Sequence, residues 1–328
     1  MRNIMIIISL FVFSSLSVNA TYIQEELFVI EWGEENSQLK LEPPYSTPPD
    51  TFPGYVTDGE LSSGSGPNKV FVDRDENFIF SSYDFGQIKG FSNNGELIFN
   101  FSSGETQYDP EIHRGQPEEI YVDSLFRLYI VNFPGWNFVP VVDYEGNVLE
   151  KLNPHAPDTN VRIVSLYGQY NGEISFYSFE YGYYTYNNSV FFEGGTGRFL
   201  ASNGTYYSAG ALFPDTIEFI RSENPDNKEN AAVIERISKV YPFDSLYVAK
   251  ILAGGDGSSL YVLIRMDYQG GDEIWEFDLE YNLVDRIKLE CWTEEAVWNI
   301  APFIGHDGSV YEFRCFEDGM HVIRWRKE

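Results

Sequence analysis

Apolar and polar residues alternate along most of this chain with a period of two, and the alternation restarts at regular intervals. Val70 and Val72, then Phe78 and Phe80, are apolar positions on either side of the polar stretch "DRDEN". That pattern predicts two strands joined as a hairpin. A second hairpin follows in "GFSNNGEL" (90–97). About fifty residues later the whole pattern returns. "PNKVFVDRDENFIFSSYDFGQIKGFSNNGELIFNF" (67–101) aligns with "PEEIYVDSLFRLYIVNFPGWNFVPVVDYEGNVLEKL" (117–152). Pro67 matches Pro117, Val70 matches Ile120, Val72 matches Val122, Asp73 matches Asp123 and Ile79 matches Tyr129. A further copy of the second hairpin is "EFDLEYNL" (276–283). Gly95 and Gly146 hold the same turn position, where a positive φ costs glycine little; Tyr281 holds it in the later copy.

Each unit reads as four antiparallel strands. A sheet with two apolar faces has to pack against the next unit, which is the logic of a propeller blade. In chain order, "EELFVIEW" (25–32) predicts an isolated strand, and residues 33–66, rich in proline, glycine and serine, predict a surface loop. Units one and two are the copies above. Unit three spans "VRIVSLY" to "SVFFEG", with an Asn171-Gly172 turn, and unit four carries a polar insertion at 222–230. Unit five restores the pattern, and unit six has three strands. The expectation is an all-β, six-bladed propeller of four-stranded blades over residues 21–328. The N-terminal strand, paired beside 321–326 with Glu31 facing Arg324 or Arg326, would supply the missing fourth strand and close the ring.

Residues 1–20 lie outside that domain. Arg2, the apolar run 4–13 and Val18-Asn19-Ala20 have the form of an export leader cut before Thr21. No other stretch is apolar enough to span a membrane. The net charge of −28 points to a soluble surface and argues against nucleic acid and anionic lipid as partners. A divalent cation or a basic partner is the weaker reading of that charge. The expectation is an exported monomer in an extracellular or periplasmic space, with no cofactor. Its partner would be a protein or small-molecule ligand. The two cysteines, Cys291 and Cys315, form a disulfide or stay as two buried thiols; spacing leaves both open.

The residues resemble the NHL-repeat class of six-bladed propellers. The likeness rests on "PxxIxVD", an apolar "LYI"-type strand, and an apolar strand ending in "FD" or "VD" before a turn. It covers units one, two and five, and part of six. The family pattern places a glycine in the first hairpin, and this reading puts Asn77 and Arg127 at that position, with Gly257 and Gly308 keeping a glycine in later units. The resemblance implies a fold and leaves the reaction open, because propellers host lyases, lactonases, binding scaffolds and sensors alike.

Enzymes among those relatives carry histidines or carboxylates on the loops between one blade's outer strand and the next blade's inner strand. Here His113 and Arg114 fall in one such loop (108–116) and His155 in the next (153–160), with Asp109, Glu111 and Asp158 nearby. Two histidines on adjacent blades are the candidates for a shared metal or a general base. The plainer reading is a pair of solvated loop histidines. His306 sits in a "GHDG" turn and His321 starts a strand, both structural. "GGDGSS" (254–259) lacks the lysine of a phosphate loop, and the tyrosines of 181–186 follow a strand period. Asn100, Asn187 and Asn203 fit the Asn-x-Ser/Thr acceptor pattern. The function expected is therefore non-catalytic binding at the channel mouth. The alternative is a metal-dependent hydrolase or lyase at the same mouth.

Overall fold

The structure is a computed structural model. It describes residues 22–41, 65–82, 84–102, 116–133, 138–153, 163–168, 174–178, 182–187, 190–193, 199–200, 205–223, 232–241, 246–252, 255–265, 272–290 and 298–328. β1 (Tyr22–Ile30) comes first. The first repeat folds as β2 (Lys69–Val72), β3 (Phe78–Ser82), β4 (Gln87–Phe91) and β5 (Leu97–Ser102). The second folds as β6 (Gln116–Val122), β7 (Leu128–Phe133), β8 (Val139–Val142) and β9 (Val148–Leu152). A third sheet holds β10 (Ile163–Gly168), β11 (Ile174–Ser178), β12 (Gly182–Asn187) and β13 (Val190–Glu193). The fourth holds β14 (Phe199–Leu200), β15 (Thr205–Leu212), β16 (Thr216–Glu223) and β17 (Ala232–Val240). The fifth holds β18 (Val248–Leu252), β19 (Ser259–Arg265), β20 (Asp272–Asp278) and β21 (Leu283–Lys288). Last come β22 (Trp298–Asn299), β23 (Phe303–Ile304), β24 (Val310–Phe316) and β25 (Gly319–Lys327).

The hairpins form where the alternation predicts them, and one turn design recurs. Asp73 accepts hydrogen bonds from the Asp75 and Asn77 amides through one carboxylate oxygen and from the Asn77 side chain through the other. Asp143 with Asn147, and Asp278 with Asn282, repeat that arrangement. In the second unit Arg127 replaces the asparagine and reaches Asp123 at 2.7 Å. The residue three after the aspartate takes a positive φ: Glu76 at 60°, Phe126 at 58°, Gly146 at 84° and Tyr281 at 64°. The left-handed position in the first hairpins therefore falls on Glu76 and Phe126, one residue before the Asn77 and Arg127 of the sequence reading. The aspartate's grip on the turn outweighs the small cost of a side chain there.

The sheets stack face to face, which makes this an all-β propeller fold. Phe78 meets Phe28 at 5.2 Å and Tyr311 at 5.3 Å, both edge-on, between the first and last sheets. Ile79, Phe99, Ile120 and Leu128 fill the seam between the first and second. Phe219 and Phe277 meet at 5.1 Å between the fourth and fifth. Fully burying such side chains stabilises the fold by about 1.5–3 kcal/mol each. Neighbouring sheets approach one another from β2 and β3 to β6, from β6 and β7 to β10, from β15 to β18 and from β2 to β23, so the strands toward that end of each order lie innermost.

The expectation of six four-stranded blades closed by the N-terminal strand is corrected. Among the described residues five sheets, not six, are four-stranded blades. The last sheet is built differently and has five strands, because β22 and β23 both pair with β24. Pro302 lies between those two short pieces, and without an N–H it cannot continue the ladder. β1 is thus an edge strand laid antiparallel on β25, not the missing fourth strand of a three-stranded blade. Its register also differs from the expected one. Glu25, not Glu31, meets Arg324, at 2.8 Å, and Arg324 also reaches Glu76 of the first blade with both carboxylate oxygens at 2.9 Å.

The loop after β1 is partly built into the fold. Leu39 is buried, and the Lys89 ammonium on β4 donates to the carbonyls of Glu35, at 3.3 Å, and Gln38. Burial, with help from nearby Lys40, lowers the Lys89 pKa. The leader (1–20), the rest of the loop (42–64), the Asn171-Gly172 turn and most of the unit-four insertion lie outside the described residues. Among the described residues no helix is long and apolar enough to cross a membrane.

Candidate functional site

The innermost strands bring equivalent positions of consecutive repeats together. Lys69 on β2 and Glu119 on β6 are fifty residues apart, and Lys69 Nζ donates to Glu119 Oε1 at 3.3 Å. Their side chains are 42% and 17% exposed, so the pair is open to solvent on its lysine side. Two residues further along the same strands, and so on the same faces, stand Phe71 and Tyr121. Their rings meet edge-on at 5.0 Å. Phe303 of β23 approaches Phe71 from the other side, also at 5.0 Å. Three sheets thus contribute one aromatic each to a layer near the axis, with the ion pair one step away along the strands. Sequence reading missed this set. The repeat alignment held the signal, because Lys69 and Glu119, and Phe71 and Tyr121, are the same positions in the two copies.

His113, Arg114 and His155 lie outside the described residues, as do Asp109, Glu111 and Asp158. β6 begins at Gln116, directly after the first of these loops, and β9 ends at Leu152, just before the second. Among the described residues no group of three or more histidine, cysteine, aspartate or glutamate side chains is placed to hold a metal ion. Cys291 also falls outside. Cys315 is a buried free thiol on β24, and burial pushes its pKa up.

The buried carboxylates each have donors. Glu276 accepts from Tyr22 Oη at 2.9 Å, Ser259 Oγ at 2.9 Å and Lys327 Nζ at 2.6 Å. Glu312, fully buried, accepts from Trp325 Nε1 and Arg314 Nη2, both at 3.0 Å, and from the Glu290 amide. Asp272 holds Arg265 through both oxygens at 2.8 Å. Asp73 adds the Tyr144 hydroxyl of the second blade, at 2.6 Å, to its own turn bonds. Burial and then this bond to Asp73 raise the Tyr144 pKa. Glu276, Glu312 and Asp73 thereby tie neighbouring sheets together, and Asp272 ties two strands of the fifth sheet.

The remaining sequence candidates take the following places where they are described. His306 is exposed in the hairpin turn closed by the Gly305 amide on the Ser309 carbonyl. Asp256 of "GGDGSS" bonds the Ser258 amide and hydroxyl, and Gly255 and Gly257 take positive φ, as a strand-to-strand turn requires. His321 lies in β25, which begins two residues earlier. Asn100 donates from its amide to Asn36 at 3.0 Å. The side chains of β12, which covers most of the tyrosine run, lie outside the described residues.

No family model matches the chain, and no curated protein matches it. Solved structures do. A streptogramin B lyase is similar at 13% identity and a TM-score of 0.45, covering 94% of this chain and 98% of that one. The virginiamycin B lyase of Staphylococcus aureus is similar at 10% identity and a TM-score of 0.47, covering 89% and 99%. Regucalcin, a calcium-binding protein from Agrobacterium tumefaciens, is similar at 9% identity and a TM-score of 0.44, covering 80% and 90%. Likenesses of this size do not bear on what the chain does. The class rests on the sheets themselves: an all-β propeller.

Proposed function

We propose that this chain is an exported, non-catalytic propeller of NHL-repeat type that binds a protein or small-molecule ligand at the mouth of its axis. The observation that carries the reading is the partly exposed Lys69–Glu119 pair beside the Phe71, Tyr121 and Phe303 rings. Charged groups over an apolar layer suit recognition, and a rigid ring of strands with variable loops suits a binding scaffold. Export rests on the leader-like residues 1–20, and the NHL assignment on the repeated "PxxIxVD" motifs.

The second reading is a metal-dependent hydrolase or lyase. It is favoured by one observation, that His113 and His155 occupy consecutive inter-unit loops. Two measurements separate the readings. Native mass spectrometry after exposure to extracellular extract is expected to show a ligand retained by the wild type and lost from Lys69→Glu. Equal retention by both proteins would overturn binding at this place. Elemental analysis that finds one metal per chain, lost in His113→Ala/His155→Ala together with an activity, would establish the second reading.

A further inference from the structure

We infer that His321 is a pH-sensitive tie that fastens β1 to β25. The ring lies between two carboxylates. Nδ1 is 3.0 Å from Glu26 Oε2 on β1, and Nε2 is 3.2 Å from Asp318 Oδ1 in the turn between β24 and β25. Carboxylate oxygens only accept, and a neutral imidazole has one N–H. The neutral ring would therefore aim a lone pair at one of the two carboxylates. Only the imidazolium donates to both.

The local backbone makes this grip possible. Glu26 stands opposite Ile323 in the strand pairing, and the register shifts between Glu26 and Phe28, so that Val29 stands opposite His321. The bulge leaves Glu26 on the same face as His321 and within its reach. The other groups facing the ring do not cancel the effect. On β24, Arg314 is opposite His321, but it bonds Glu312 at 3.0 Å and Glu290 at 3.1 Å. The Phe316 ring is edge-on at 5.3 Å and carries no charge. The His321 side chain is 18% exposed, whereas Glu26 and Asp318 are 55% and 71% exposed, so water and salt screen the tie in part and its effect is modest.

The sign follows from these contacts. Burial opposes the charged ring, but the bonds to Glu26 and Asp318 outweigh it and hold the imidazole above its ordinary value of 6.5. The stabilisation is fully present below that ordinary value and is lost as the pH rises through the raised one. β1 is held most firmly in mildly acidic surroundings and loosens on the alkaline side.

The chain has four histidines, so each C–H signal can be followed by NMR, with His321→Gln identifying the one in question. The His321 midpoint is expected above 6.5, and Glu26→Gln is expected to lower it by about half a unit or more, a threefold change in proton affinity. Hydrogen-exchange protection factors, which divide out the intrinsic rate, are expected to fall for β1 amides by about threefold between roughly pH 6 and pH 8.5, while β19 amides hold steady. His321→Gln is expected to abolish that fall. If it does not fold, Asp318→Asn serves instead, with a reduced fall. A midpoint at or below 6.5, or the same fall in the variant, would overturn the inference.

Discussion

The first two blades and the last sheet solve the same problem by different means. In β2–β5 and β6–β9 an aspartate organises a five-residue turn from within, and the strands follow in chain order. In the last sheet the inner strand is broken around Pro302, and the outer edge comes from the other end of the chain. Contacts there span most of the sequence: Tyr22 with Glu276, Trp32 with the Phe316 carbonyl, Arg324 with Glu76. Repeats settle local shape, while chain ends have to be secured by partners far away in sequence.

Removing β1 is the severest way to break that comparison. Deletion of residues 22–30 bares the ladder edge of β25 and withdraws Phe28 and Ile30 from the core shared with Phe78 and Met320. Size-exclusion chromatography is expected to show association, and the melting transition is expected to broaden. A monomer with an unchanged melt would mean that the last sheet does not depend on the N-terminal strand. Next in size is Phe78→Ala, which empties the contact between Phe28 and Tyr311 and is expected to cost about 3–5 kcal/mol in denaturant unfolding.

Two aspartates with the same turn bonds sharpen the local half of the comparison. Asp73 is 5% exposed and also receives Tyr144, whereas the Asp143 turn bonds are exposed. Asp73→Ala is expected to destabilise by about 1–3 kcal/mol because it leaves the half-buried Tyr144 hydroxyl, two backbone amides and the Asn77 side chain without their acceptor. Asp143→Ala is expected to cost clearly less in the same assay, and equal losses would show that burial is not what separates them. The smallest effect is on pH. Burial acts against the Asp143 charge, but its bonds to Asn147, Glu145 and Gly146 prevail and lower its pKa below 3.8. That contribution is complete above the ordinary value and is lost as the pH falls through the lowered one. Asp143→Asn is expected to flatten this part of the acid limb of a stability profile.

Much of the fold was legible because strands and turns are local. Val70, Val72, Phe78 and Phe80 alternate as their hairpin requires, and Gly95 and Gly146 sit at positive φ as read. The first hairpins were read one residue late, since glutamate and phenylalanine at positions 76 and 126 do not advertise a left-handed backbone. Glu276 and Glu312 were illegible: in "DEIWEFD" and "VYEFRCF" a glutamate looks like a solvent-facing position. They are buried because Tyr22, Trp325 and Lys327 cover them, and that is a tertiary event. The axial pair was legible in principle, since one repeat position placed Lys69 against Glu119.

The Lys89 amine offers a readout that needs no engineered probe. Held against the Glu35 and Gln38 carbonyls and nearly sealed from water, it is closed to an amine-acylating reagent while residues 33–39 stay seated. Once that short segment lifts, the nitrogen is uncovered. While the first blade stays folded, the rate at which a mass spectrometer sees Lys89 become acylated would therefore clock the lifting of the turn that follows β1.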